Sequence, residues 1–155
     1  MSEEKKNSKG LSINFGLKSF DILKYDYEES GEKIDTRKIG YQIQFRPDAD
    51  LNEGTISIEF KIIGQAGEED PIELGSIHTL TTYHISSIDE LLTDDGNLLI
   101  PKGLAISLLS IALSTTRGAL IAKSEGNILS KEILPLADPK EMYEASPLKG
   151  EIEIK

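Results

Sequence analysis

The chain has 155 residues, 38% of them hydrophobic, which is enough for one domain with a real core. Its 17 Lys and Arg against 27 Asp and Glu leave a formal net charge of −10. That balance disfavours phosphate backbones and anionic lipid surfaces, and suits solubility or a partner that is basic or unfolded. With no cysteine, disulfide scaffolds, thiolate metal sites and Cys nucleophiles are excluded together.

Residues 1–10, MSEEKKNSKG, form a polar lead expected to be disordered, without the apolar core of a signal peptide. In the next segment Leu11, Ile13, Phe15 and Leu17 share a face by alternation. Phe20 and Ile22 then shift to even positions, and Tyr25 and Tyr27 return to odd ones. A strand carrying bulges produces such slips of phase. Glu28 to Lys33, with Ser30-Gly31, reads as a turn. Two clean strands follow, with Ile39, Tyr41, Ile43 and Phe45 alternating in the first and Ile56, Ile58, Phe60 and Ile62 in the second. Between them RPDADLNEG predicts a loop of roughly eight residues.

A fourth strand is expected over ELGSIHTLTTYHIS, with Ile77, Thr79, Thr81, Tyr83 and Ile85 on one face. Residues 86–100 read as a loop with a helical turn at Ile88–Leu92. The stretch from Pro101 to Asn127 is a long apolar helix, with Pro101 near its first turn and Gly126 or Asn127 ending it in a left-handed conformation. An extended stretch around Ile133–Leu136 precedes a short helix, Pro139 to Ala145, capped by Asp138. Residues 146–155 are a short tail in which GEIEIK is a frayed strand or nothing ordered.

Strands first and helices after define an α+β fold: a four-stranded antiparallel sheet, then a long helix and a short C-terminal helix packed on one face, within a single domain over 11–145. Apolar residues occur all round the long helix. One sheet covers only part of that girth, so the remainder predicts a second copy of the chain. Leu104, Leu108, Ile111 and Thr115 are the candidate oligomer interface. Arg117, a cation within the apolar helix, is expected to pair with a carboxylate from the sheet or a second subunit. It also makes a lone membrane span costly, so a soluble, buried helix in a cytoplasmic protein is expected, without membrane insertion.

Chemistry finds little support. His78 and His84 share a strand face but lie about 20 Å apart at the usual rise, too far to hold one metal. Asp94-Asp95 and the pair Asp48 and Asp50 fall where turns favour Asp, without the spacing of a calcium loop. No nucleophile elbow, P-loop or dinucleotide fingerprint occurs. The expectation is no enzyme, no metal and no cofactor.

Within the last third, Arg117 in the apolar helix, Gly126 after it, Leu134-Pro135-Leu136 and Met142-Tyr143 resemble the SecB-like chaperone family. In that family an apolar helix carries an Arg and then a Gly. An extended Leu-x-Pro-Val-Asn segment and a second helix follow. The Asn of that pattern would fall at Ala137 or Asp138, a departure, and the Arg-to-Gly spacing is about one residue shorter than the family's. The resemblance implies a homotetrameric, ATP-independent holdase for unfolded polypeptides, used in protein export. The alternative is a dedicated-partner protein on the same fold outside export, such as an antitoxin-associated chaperone. Tyr41, Phe45 and Tyr83 are the candidate client-binding residues.

Overall fold

The computed structural model describes residues 13–28, 39–67, 70–127, 129 and 138–154. The N-terminal lead, most of the turn after Glu28 and the extended stretch around Ile133–Leu136 lie outside the described residues. Four strands, β1 (Phe15–Tyr27), β2 (Ile39–Asp50), β3 (Thr55–Ala66) and β4 (Ile72–Ile85), precede the long helix α1 (Lys102–Lys123) and the short helix α2 (Pro139–Glu144). The strands form one antiparallel sheet in the order β1-β4-β3-β2, and the helices pack on one face, as expected for an α+β chain.

The slips of phase in β1 are bulges. Its register against β4 shifts between Leu17 and Ser19 and again between Ile22 and Lys24. Each extra residue restores the pleat, so Leu17 pairs with Tyr83, Phe20 with Thr81, Ile22 with Thr79 and Tyr25 with Ile77. Leu17, Phe20, Ile22, Tyr25 and Tyr27 thereby share the helix side despite the change of parity.

The loop between β2 and β3 is shorter than the sequence predicts. Pairing continues through Pro47↔Ile58 to Asp50↔Thr55, leaving a tight turn at Leu51–Gly54 with Gly54 at φ 67°. Pro47 is tolerated because β2 is an edge strand, where a missing N–H breaks no inner ladder. The Asp50 carboxylate accepts from the backbone N–H of Asn52 and Glu53, which closes the turn.

On the helix side, Ile56, Ile58 and Phe60 of β3 and Ile77 and Tyr83 of β4 are wholly buried. Beneath them in the helical layer lie Ala105, Leu108, Leu109 and Ala112 of α1, also wholly buried. Each such large aliphatic side chain contributes about 1.5–3 kcal/mol through water exclusion. Polar groups also cross this interface. The Tyr83 hydroxyl donates to the Leu108 carbonyl at 2.7 Å. Thr116 donates to the Ala112 carbonyl at 2.7 Å, so the buried 2.7 Å contact between Thr79 and Thr116 has Thr79 as donor. These contacts run α1 antiparallel to β4.

Pro101 sits at the N-cap of α1, and the chain reverses after the helix through Gly126 at φ 90°. The side chain of Asp138 accepts from the Lys140 N–H at the start of α2. The C-terminal tail is more ordered than its composition suggests. Ile152 and Leu98 exchange two backbone hydrogen bonds at 2.7 and 2.9 Å. Leu148 and Leu98 are fully buried and Ile152 is nearly so. Weak alternation conceals this because the tail adds a single bridge to the 86–100 loop and no full strand.

Candidate functional site

Two features of the helix-side face are left over once the core is closed. The first is β1. Its helix-side residues Phe15, Leu17 and Ile22 are 36%, 56% and 39% exposed, because α1 lies over β3 and β4 and stops short of the edge strand. The short C-terminal elements sit toward the opposite edge. The turn Pro147–Lys149 packs against β2, and Lys102 of α1 pairs with Glu144 of α2 at 3.1 Å. At 3.6 residues per turn, Leu104, Ile111 and Thr115 project from the flank of α1 opposite Lys102, toward β1. The result is an apolar shelf, with β1 as floor and the outer flank of α1 as wall.

The second feature is a row that crosses the entire sheet. Tyr27 of β1 pairs with Gly75 of β4, Gly75 with Gly64 of β3, and Gly64 with Tyr41 of β2. Two rings thus flank two positions without side chains, just beyond the end of α1. Leu129, 1% exposed, fills this saddle together with Leu74 and Ala66. The segment leading to it is held to the sheet by a relay. Tyr25 shares a hydrogen bond with Ser124 at 2.9 Å, Asn127 donates to the Tyr25 hydroxyl at 3.0 Å, and the Leu129 N–H donates to the Asn127 side-chain oxygen at 2.9 Å. The Tyr41 hydroxyl donates to the Leu129 carbonyl at 3.4 Å.

The residues singled out from sequence are distributed between core and surface. Leu108 is wholly buried against its own sheet, so it is not an outward interface residue. Ile111 is exposed, while Leu104 and Thr115 are half-buried, Thr115 donating to the Ile111 carbonyl at 2.7 Å. Tyr83 is also wholly buried, which corrects its assignment as a client contact. Burial raises its pKa, and Phe15 packs edge-on against it at 6.0 Å. Tyr41 and Phe45 are half-buried at the margin of the core, Phe45 against Phe60 at 5.5 Å. Arg117 is half-buried and takes part in none of the ion pairs among the described residues, so the expected carboxylate partner within the chain is absent there.

His78 and His84 belong to the polar face of the sheet, paired with Lys61 and Thr55 on the neighbouring strand. Among the described residues no three His, Asp or Glu side chains gather as a metal site. The sequence points to a bulged β1, and the observed register places Leu17 and Phe20 on one face. Gly64 and Gly75 do carry a signal, since glycine inside a strand marks close approach of another group.

A four-stranded antiparallel sheet followed by a long and a short helix on one face is the SecB-like arrangement, and this chain adopts it. Its structural similarity is to the Mycobacterium tuberculosis SecB-like chaperone Rv1957, solved in complex with a ChAD peptide from the Rv1956 HigA1 antitoxin. The TM-score is 0.54 at 9% identity, over 88% of this chain and 98% of that one. A Streptococcus agalactiae protein of unknown function matches with a TM-score of 0.34 at 13% identity, over 81% of this chain and 98% of that one. No protein-family model and no curated protein matches the sequence.

Proposed function

We propose that the protein is a cytoplasmic, ATP-independent SecB-like chaperone. It binds extended polypeptide through the apolar shelf of β1 and α1, and self-associates through the outer side of α1. The observation that carries the reading is the exposure of Phe15, Leu17 and Ile22 on the side of the sheet that elsewhere forms the core. A chain of net charge −10 has polar residues to spare, so an apolar strand face beside a helix marks a binding surface. The SecB-like neighbour was solved with a bound antitoxin peptide, which supports a polypeptide as the partner.

Self-association draws on the outward side of the helix, which shares Ile111 with the shelf. Gly103, Ser114, Gly118 and Ala122 are exposed along α1, and Ser107 turns its hydroxyl back to the Gly103 carbonyl at 3.0 Å. Such small, internally satisfied residues let a second helix approach closely, with Ile111 and Ile121 as apolar contacts. A homo-oligomer, dimer or tetramer, would cover them.

Suppression of light scattering from a denatured client, without nucleotide, tests the holdase. No suppression at stoichiometric protein rejects it. Affinity purification separates a general holdase from a dedicated-partner protein, since one dominant partner without suppression identifies the latter.

A further inference from the structure

The face of the sheet turned away from the helices has a charge pattern of its own. The register sets its side chains in rows that cross all four strands. In one row Asp21 lies beside Leu80, Leu80 beside Glu59 and Glu59 beside Arg46. In the next, Lys24 lies beside His78, His78 beside Lys61 and Lys61 beside Gln44. The first row closes on itself, because Arg46 donates to the Glu59 carboxylate at 2.9 Å. The second flanks a histidine with two lysines on strands about 4.8 Å apart, with no carboxylate between them. Like groups directly opposite one another disfavour a sheet, so this row is left with a demand for negative charge.

Within the chain that demand is met only at the edge, where Lys24 turns along its own strand to Asp26 at 3.3 Å. Lys61 and His78 enter no ion pair or side-chain hydrogen bond among the described residues. Both are half-buried, and partial loss of water strengthens the pull of a cation on an incoming charge. With Gln44, Arg46 and Glu59 they line a shallow recess of about 200 Å³. Its remaining lining residue, Phe45, turns its ring to Phe60 in the core. The side chains that line the recess are therefore N–H donors, apart from one carboxylate that Arg46 already engages.

The recess is smaller than the roughly 300–1,000 Å³ of sites that enclose small molecules. It lies instead on a broad strand face, with Leu80 and Ile63, both half-buried, two residues along from His78 and Lys61. Apolar side chains beside unpaired donors suit a protein surface that brings carboxylates.

We infer that the Lys61–His78 row is the docking point for an acidic segment of a partner protein, with Leu80 and Ile63 as the apolar contacts beside it. The site lies on the opposite side of the sheet from the β1 shelf, so it stands or falls independently of client binding there. The net charge of −10 repels any acidic molecule at long range, so an acidic segment that binds is held by local contacts. Glu59 competes in cis for Arg46 and limits the affinity.

The test is fluorescence anisotropy with a labelled Gly/Ser peptide carrying glutamate at alternate positions, and with its glutamine and lysine counterparts. At about 0.1 M salt the Debye length of about 10 Å suppresses the long-range repulsion. Wild type is expected to bind the Glu peptide about tenfold tighter than the Gln peptide. Lys61→Glu should lose the Glu peptide and bind the Lys peptide in its place. Glu59→Gln frees Arg46 and should bind the Glu peptide about fivefold tighter than wild type. Circular dichroism verifies the fold of each variant, and Lys61→Gln, expected to weaken the Glu peptide about fivefold, replaces Lys61→Glu should the latter not fold. Suppression of light scattering by Lys61→Glu should equal that of wild type, because the shelf is untouched.

Equal binding of the Glu and Gln peptides, or unchanged binding of the Glu peptide by Lys61→Glu, overturns the docking site while leaving the shelf in place. Absence of Glu-peptide binding by wild type does the same. Inorganic phosphate that raises the melting temperature of wild type but not of Lys61→Glu, without Glu-peptide binding, makes the recess a small-anion site and overturns the protein partner. A Glu59→Gln variant that binds no tighter overturns the competition for Arg46.

Discussion

Gly64 and Gly75 face each other across β3 and β4, and neither can carry a Cβ without displacing a neighbour. The two positions are not equivalent. At Gly64 the close atoms belong to side chains, Leu129 and Tyr41, which can shift. At Gly75 the closest atom is the backbone oxygen of Asp26 at 2.6 Å, which is fixed by strand pairing. Gly75→Ala is therefore expected to destabilise by about 2–3 kcal/mol and Gly64→Ala by about 1 kcal/mol. Denaturant midpoints check the order; a Gly64→Ala protein less stable than Gly75→Ala would contradict the geometry.

Leu108 and Ile111 are one turn apart on α1 but have opposite surroundings. Aspartate at Leu108 buries an unpaired charge beneath Tyr83 and should cost more than about 4 kcal/mol, unfolding the chain. Aspartate at Ile111, 38% exposed, should leave helix content within about 0.5 kcal/mol of wild-type stability while lowering native mass. Circular dichroism with analytical ultracentrifugation separates the two. An Ile111→Asp protein with unchanged native mass would exclude this flank from the oligomer contact.

The threonine and tyrosine beneath α1 should respond with opposite signs. Thr81 is wholly buried, and its hydroxyl has no hydrogen-bond partner among the described residues. Valine of similar shape removes that stranded group, so Thr81→Val should raise stability by about 1 kcal/mol. Tyr83→Phe instead removes the 2.7 Å bond to Leu108 and should lower stability by about 1 kcal/mol. Thermal or urea unfolding of the two variants provides the comparison, and a destabilised Thr81→Val would reveal a hydrogen bond to that hydroxyl.

Glu144 ties α2 to α1 and to the Pro147–Lys149 turn at the surface, reaching Lys149 at 2.8 Å and Lys102 at 3.1 Å. Hydrogen bonds from Lys149 first, and then Lys102, hold its carboxyl below the ordinary value of 4.5. A carboxylate with a lowered folded-state pKa stabilises the fold above its unfolded-state value and loses that contribution as pH falls through the folded-state value. Glu144→Gln should therefore melt below wild type near neutral pH, with the difference closing as pH drops below 4.5. Because the carboxylate is exposed, the difference should be small and shrink with added salt. A gap that persists in acid would assign the effect to packing of the side chain.

A truncation tests the tail. Ending the chain before Gly150 removes Ile152 and with it the two backbone hydrogen bonds it makes to Leu98. A loss of about 2–4 kcal/mol is expected from the exposed apolar surface and the broken bridge. Wild-type stability after truncation would show that the tail contributes nothing to the core.

Much of the architecture is legible in local patterns. Alternation at Ile56–Ile62 and Ile77–Ile85 reports burial on one face of a strand, and the β1 phase slips report bulges, because a pleated backbone has a strict period of two. Pro101, Gly126 and the Asp138-Pro139 pair mark helix ends through backbone geometry alone. These signals depend on residues near one another in the chain, so the order of four strands, a long helix and a short helix was available from the amino-acid sequence itself.

Which apolar residues face the core and which remain open was decided by tertiary structure. Leu108 and Ile111 are both apolar positions on α1, yet only the placement of α1 over β3 and β4 buries one and exposes the other. Phe15, Leu17 and Ile22 read like any buried strand face, and they stay open because, among the described residues, no helix extends over the β1 edge. Gly64, Gly75 and Leu129 lie far apart in the chain and meet only through strand pairing and the reversal at Gly126. Periodicity reports how a segment presents its side chains, whereas covering them depends on where a distant element comes to rest.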